Sequence, residues 1–522
     1  MNYAQTARLL GGFTLFFCGV LLVPLLTAVG ESKSAYDTVV GFAATMGIGI
    51  ALAGACLMST RKRKTGQIFR REGLLIVGLA WLTAGVLGGL PFLISGAIGA
   101  PTDALFESVS GLTTTGATVL GSADHPTIES LPKSLLLWRS VLQWVGGTGV
   151  ILVFTVLLPA MGLTGKNLLD SESVGVSSDE RPRMQEQARL LFRIYLGLTA
   201  ACAICYMTCG MGAFDALCHS FTTMATGGFS TKNQSLGAFD SVGIEITSTV
   251  FMFLAGVNFV FMLSVARSLI QKERPEGNRE FLAYTRWTVV MIVIVSAVLW
   301  FWGREVPDPA LGRVNDYDNP LLCLRHASFQ VVSMITSTGF CTTDFQNWPN
   351  VALALVLFCM LVGGSTGSTA GGLKIYRLLV CLKLTGYAMR RFVRPRTVEK
   401  LRLGDEVLPN ALISAVLTLV LLWGLLICAG TLVLSFDTRL DFLSALSTSV
   451  SATGCTGPGL STVLPPGEGF ALAYPDQINV GPYGGYGALE GYAQLWLCFQ
   501  MIAGRLEILA PLVLFLPAFW RK

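Results

Sequence analysis

Four short segments hold the residues whose types and spacing could do chemistry. Phe106–Thr118 reads FESVSGLTTTGAT and Cys218–Ser230 reads CHSFTTMATGGFS. Phe329–Cys341 reads FQVVSMITSTGFC and Ser447–Gly459 reads STSVSATGCTGPG. Each places a Ser or Thr six residues before a Gly: Ser110/Gly116, Thr222/Gly228, Ser333/Gly339 and Ser451/Gly457. The glycines stand 112, 111 and 118 residues apart. One such segment alone reads as an ordinary outer loop with turn residues, but four in register mark an internal repeat. The chemistry they suit belongs to the backbone. Carbonyl oxygens of a Thr/Gly-rich turn can replace a cation's hydration shell. Glycine permits left-handed torsions and puts no side chain in the path. A half-length helix before each turn would aim its partially negative C-terminal end at the same point.

The elements that must position these segments are membrane spans. Hydrophobic residues make up 52% of the 522, charged residues only 13%, and mean hydropathy is +0.61. Soluble chains carry roughly 25% charge, so the soluble, disordered and disulfide-rich classes are excluded. Apolar runs of spanning length occur near 9–29, 38–58, 73–96, 135–160, 188–210, 244–270, 283–303, 350–380, 409–435 and 493–519. Ten spans are therefore expected, the last eight in four pairs with one Thr/Gly segment inside each pair. Non-helical backbone at membrane depth is tolerated only where protein buries it or where it lines a watery path. The four segments should thus converge on one axis.

Charge orients the chain. Arg61, Lys62, Arg63, Lys64, Arg70 and Arg71 follow the second run. Arg267, Lys272, Arg274, Arg279 and Arg286 follow the sixth, and nine Lys or Arg from Lys374 to Arg402 follow the eighth. The intervening loops hold Asp103, Asp124 and Glu129, and Glu305, Asp308, Asp316 and Asp318. Both termini are expected in the cytoplasm, with the four segments on the outer side and no cleavable signal peptide. A net charge of +5 is too weak to argue for nucleic acid.

Two features of the later spans stand apart. Gly363–Gly372 reads GGSTGSTAGG, a run that breaks a helix in mid-membrane with little packing to hold it. It is not a phosphate-binding loop, since Lys374 follows Gly-Leu. It reads either as a kink packed through small residues or as a movable element. Arg505 lies deep in an apolar run, where a charge needs water or a partner. Glu507 or a residue of another helix is the partner in a structural reading. Gln143, Asn258 and Thr366 take the corresponding region of the other repeats, and Arg139 and Lys133 are expected near the outer mouth, paired with surface acids. His219 and His326 read as packed histidines. Cys202, Cys205 and Cys209 read as helix packing rather than a zinc site. No nucleophile–base pair is present in the pattern, so an enzyme is not expected.

The strings TTTGATV (113–119), ATGGFST (225–231), TSTGF (336–340), GPGL (457–460) and GRLEIL (504–509) carry a resemblance. With two extra spans before the first repeat, the chain resembles the Trk/Ktr/HKT superfamily of cation uptake channels, in its bacterial TrkH/TrkG branch, over about residues 70–520. The resemblance implies an all-α polytopic membrane protein. Four span–pore-helix–span repeats would surround one pseudo-fourfold pore: two helices at 1–69, then repeats at 70–165, 166–275, 276–402 and 403–522.

It implies a potassium filter from Thr114, Thr115 and Gly116; Thr226, Gly227 and Gly228; Ser337, Thr338 and Gly339; and Cys455, Thr456 and Gly457. Gly at all four filter positions goes with potassium preference in that superfamily, whereas a Ser in the first goes with sodium transport in some plant members. Cys341 and Cys455 depart from the family's small or polar residues. The resemblance further implies a gate of Gly363, Gly364, Ser365, Thr366, Gly367, Ser368, Thr369, Ala370, Gly371 and Gly372, with Lys374 beside it and Arg505 in the pore below the filter. It implies a homodimer in the bacterial inner membrane, K+ as the transported ion, and a cytosolic TrkA-type ring through which NAD(H) and ATP act. A sodium- or proton-coupled symporter with broken helices is the other reading. It would need an intramembrane acid, and Glu107 and Glu245 are the acids nearest the segments.

Overall fold

The computed structural model describes residues 2–31, 36–61, 70–122, 125–152, 180–271, 278–308, 310–394, 401–403, 406–462 and 476–521. Lys62, Arg63, Lys64, Asp124, Lys272, Arg274, Arg396 and Lys400 lie outside these, as do the residues on both sides of the expected boundaries at 165/166 and 275/276.

Apolar length makes the spans. Among the described residues six helices are long and apolar enough to cross a membrane: Tyr3–Gly30, Tyr36–Thr60, Arg71–Ile94, Glu186–Thr208, Arg279–Trp302 and Asn410–Leu434. The last four are the first spans of the four repeats. Each is followed by a short helix: Pro101–Leu112, Ala213–Met224, Pro320–Ile335 and Phe442–Gly454. The C-terminal halves of these four, the pore helices below, are almost wholly buried despite their Ser and Thr residues, so they lie inside the protein and not in lipid.

The second spans are not all unbroken: the break expected at Gly363–Gly372 in the third is present, and the second and fourth break as well. The first is a continuous helix over Lys133–Leu152. The second splits into Val242–Ala255 and Phe259–Ser268, bent by 95°. The third is only 13 residues long, Asn350–Val362, and continues as a non-helical loop into Ile375–Val393. The fourth runs over Gly491–Arg505 and breaks at Glu507 and Ile508, both at positive φ. Each break frees backbone groups that need partners. At the second, Asn258 Oδ1 accepts from the Val260 and Phe261 amides, and the Gly256 carbonyl accepts from Ser365 N at 3.0 Å.

The repeats close into a ring. Every pore helix packs on its own first span and on the second span of the preceding repeat, so the first pore helix rests on Gly491–Arg505 of the fourth repeat. Polar side chains fasten these seams. Arg325 forks onto Glu245 at 2.6 and 2.7 Å, and Gln494 donates to Asp103. The two N-terminal helices pack outside the first repeat. There Trp138 meets Phe17 and Phe42 edge-on and donates from Nε1 to Gly88 O at 2.9 Å.

Candidate ion-binding site at the centre of the four repeats

The loop after each pore helix folds in the same way four times. The residue before each repeat glycine donates its N–H to the carbonyl of the Ser or Thr that opens the six-residue spacing. These bonds are Thr115 to Ser110, Gly227 to Thr222, Thr338 to Ser333 and Thr456 to Ser451, at 2.8–2.9 Å. The residue one place earlier is left-handed in each loop, with φ of 54° at Thr114, 53° at Thr226, 52° at Ser337 and 53° at Cys455. Such torsions in a non-glycine residue cost about 1–3 kcal/mol each and persist only where the surroundings impose them. Gly116, Gly228, Gly339 and Gly457 follow at φ of 83°, 78°, 79° and 107°.

The loops meet in cyclic order. A Cβ on Gly116 would sit 2.1 Å from Gly227 O, on Gly228 2.0 Å from Thr338 O, on Gly339 2.0 Å from Thr456 O, and on Gly457 2.7 Å from Thr115 O. Each glycine therefore faces the carbonyl of the next repeat, and the fourth returns to the first. The four glycines also line one chamber, together with Tyr483 and Tyr486. A closed ring of backbone carbonyls beside such a chamber can take the place of water around a cation.

The second-span and pore-helix charges lie behind this ring. Arg139 and Glu107 are both fully buried, with Arg139 Nε at 2.7 Å from Glu107 Oε1. Arg139 also donates to Ser230 O at 2.9 Å and lies 4.1 Å over the Phe229 ring. Glu107 accepts from Thr118 Oγ1 and Val119 N. This corrects the expected surface pairing of Arg139, because its partners lie inside the protein, Glu107 in its own repeat and Phe229 and Ser230 in the second. Lys133 instead stands over Phe214. Removing one member of such a pair leaves a buried charge and costs about 3–5 kcal/mol. Glu107→Gln is expected to lower stability by about that much in detergent, read as a fall in thermal unfolding temperature.

The histidines are packed, as their sequence context suggests. His219 bonds to Asp215 O and Ser230 Oγ, and His326 to Tyr317 Oη. Outside the spans, burial pushes the Asp344 carboxyl up to about 6, against hydrogen bonds donated by Gln346.

The Gly363–Gly372 loop crosses beneath the ring on the pore-helix side. Thr369 Oγ1 donates to Met224 O and Ala255 O, both at 3.1 Å. Gly371 N donates to Ser337 Oγ, and Gly372 N to Gly454 O at 2.9 Å. A Cβ on Gly371 would lie 2.0 Å from Gly454 O, so only glycine approaches this closely. The rim of the loop is tied as well. Thr366 N donates to Glu280 Oε1 at 2.6 Å, Gly364 O accepts from Ile375 N, Gly367 O accepts from Phe259 N, and Ser368 Oγ donates to Ser365 O. Gly363 is left-handed at φ 74°, and Lys374 Nζ donates back to Ala370 O. The composition of this segment suggests a loop with little to hold it. The loop is instead buried and hydrogen-bonded to residues of the second, third and fourth repeats, which short side chains make possible.

Arg505 joins this loop from the fourth repeat, its Nη1 donating to Thr369 O at 2.7 Å. Its Nε and Nη2 are buried with no hydrogen-bond partner among the described residues. Glu507, the acid expected beside it, pairs with Arg377 instead. Gln143 and Asn258, taken in the corresponding region of their repeats, make other contacts. Asn258 caps a half-helix, and Gln143 reaches the second loop. Nothing in the sequence signals that reach, since Gln143 and Gly227 are 84 residues apart.

The same architecture is found in known proteins. A family model described as TrkH, cation transport protein, matches residues 41–464. This chain belongs to the TrkH family. It is thus a cation transport protein of the membrane and not an enzyme. It is 37% identical to the Trk system potassium uptake protein TrkH of Salmonella typhimurium over the whole of both chains. It is 30% identical to TrkG of Escherichia coli over 89% of this chain and 88% of that one. The crystal structure of the potassium transporter TrkH from Vibrio parahaemolyticus superposes with a TM-score of 0.81, at 32% identity and full coverage of both chains.

Proposed function

We propose that this TrkH-family protein takes up potassium across the bacterial inner membrane through a filter of backbone carbonyls. The filter residues are Thr114–Gly116, Thr226–Gly228, Ser337–Gly339 and Cys455–Gly457. The observation that carries the reading is the cyclic contact of each repeat glycine with the carbonyl of the next repeat. Four glycines are the composition that the resemblance ties to potassium. Potassium uptake is also the activity that the relatives' names state. Glu107 and Glu245, the acids a coupled symporter could use, are each held by an arginine, Arg139 and Arg325. The deciding experiment is potassium against sodium flux into liposomes holding the purified protein. Sodium flux equal to potassium flux would overturn the reading.

In this reading the chain is two helices at 1–69 followed by repeats at 70–165, 166–275, 276–402 and 403–522. Both termini face the cytoplasm, where the basic loops lie. The protein works as a homodimer, with a TrkA-type ring on its cytoplasmic side through which NAD(H) and ATP act. No cofactor other than the transported K+ is assigned to the chain itself.

Gly363–Gly372 is the gate, with Lys374 and Arg505 bracing it. Its hydrogen bonds reach three repeats, so a small displacement breaks several at once and favours two discrete positions over a gradual one. Removing Gly367–Gly371 is expected to raise potassium flux several-fold and to weaken its dependence on the regulatory ring, measured in the same liposomes. A folded deletion variant that conducts no more than the parent would make the loop a structural kink.

A further inference from the structure

The four loops share a backbone course but differ at the residue that precedes the repeat glycine. The residue before the repeat glycine is Thr115, Thr338 and Thr456 in three loops, but Gly227 in the second. Two of those threonines are braced from behind. Thr115 Oγ1 shares a hydrogen bond with Thr113 Oγ1, and Thr338 Oγ1 with Thr336 Oγ1, both at 2.8 Å. In the second loop the space of the missing side chain is taken by Gln143, which comes from the first repeat. A Cβ on Gly227 would lie 2.4 Å from the Gln143 Cδ and Oε1 atoms. The Gln143 carboxamide uses both ends. Nε2 donates to Gly227 O at 2.6 Å, and Oε1 accepts from Phe229 N at 3.2 Å. Gln143 is completely buried.

We infer that Gln143 is a positioning residue that determines specificity: its carboxamide stands in for the threonine that the second loop lacks and holds one of the four ring carbonyls. The inference rests on the proposal that this ring is the ion path. Gly227-Gly228 is the one loop with two successive glycines at this place, and glycine leaves the backbone the most conformations to visit. A carbonyl free to move could close in on a smaller cation, so sodium would be coordinated nearly as well as potassium. The clamp bridges Gly228, with the Gly227 carbonyl bound at one end and the Phe229 amide at the other, and prevents that movement. The Nε2–H donor also draws electron density from the Gly227 oxygen, so this carbonyl presents a weaker field than the other three. Weak-field ligands favour the larger, more easily dehydrated ion.

The test uses the full chain, purified and reconstituted. Gln143→Leu keeps most of the volume and removes both hydrogen bonds. The potassium/sodium flux ratio is expected to fall by about fivefold or more, since each of the two bonds lost is of ordinary net strength. Half-saturating potassium should rise while the maximal rate changes little, a split that general destabilisation would not produce. Gly227→Thr alone should abolish flux, because the new side chain collides with the carboxamide. Gln143→Ala combined with Gly227→Thr builds a fourth threonine loop and should restore the ratio to within about twofold of the parent. A monodisperse Gln143→Leu protein with the parental ratio and half-saturation would overturn the inference. If Gln143→Leu does not fold, the double variant decides, and a folded double variant no more selective than Gln143→Ala overturns it. Gly116→Ser separates the two levels. If it lowers selectivity while the Gln143 variants do not, only the role of Gln143 falls; if neither alters it, the filter reading falls as well.

Discussion

Gly116→Ser should cut potassium flux by more than tenfold and bring the potassium/sodium ratio close to one, while the protein still assembles. Two physical effects act together. At φ 83° the backbone is left-handed, where a side chain adds about 1–2 kcal/mol of strain. The new Cβ would also lie 2.1 Å from Gly227 O, far inside contact distance. That carbonyl must move, and it belongs to the ring proposed to coordinate the ion. Strain and displacement together exceed the roughly 1.4 kcal/mol that corresponds to a factor of ten. Gly339→Ser should behave in the same way against Thr456 O, since the geometry repeats. Flux of potassium and sodium into liposomes, on protein shown to be monodisperse, checks both. Unchanged flux ratios in the two variants would remove these loops from the ion path.

Arg505→Ala should express normally and conduct faster, by about fivefold or more. The structural alternative predicts the reverse. Were Arg505 the partner of a buried acid, its loss would cost about 3–5 kcal/mol and expression would collapse. Glu507 is paired with Arg377, however, and Arg505 donates to a loop carbonyl, Thr369 O. Its loss therefore leaves no bare carboxylate at Glu507. It removes two obstacles instead. A unit charge about 4 Å from a passing cation costs about 1 kcal/mol in bulk water and about 4 at an effective dielectric of 20. The loop also loses one of its ties to the fourth repeat. Arg505→Lys keeps the charge and should stay near the parent. Removing Glu507 as well should rescue nothing, because no carboxylate is left unpaired. A well-folded Arg505→Ala protein with parental flux would refute the pore role.

The family and the all-α repeat architecture are legible along the chain, through the resemblance and the fourfold period. The reasons are local. Left-handed backbone at a fixed distance from a helix end calls for glycine, so Gly116, Gly228, Gly339 and Gly457 stand out at a constant offset from each pore helix. Spans show because length in lipid sets the number of apolar residues. Continuity shows only in part. The Gly/Ser/Thr run announces the break after Val362, but a window over 244–270 averages across the bend near Gly256, so that split helix reads as a whole one.

What joins the repeats is not written in any one stretch of residues. The cyclic glycine–carbonyl contacts, the Arg139–Ser230 tie and the clamp of Gln143 on Gly227 link residues about a repeat apart, and nothing in either partner's neighbourhood names the other. Arg139 looks like a surface charge because its own neighbours are those of an outer helix end; Glu107 and the second loop make its burial possible. Arg505 looks equally ready for Glu507, two residues away, yet the chain breaks between them and Arg377 takes the acid. Residue order thus dictates how many repeats there are, which pore segments are short, and where backbone without side chains must lie. Which carbonyl meets which glycine, and which charge meets which partner, is settled only on folding, because those choices depend on how four separate repeats close around one axis.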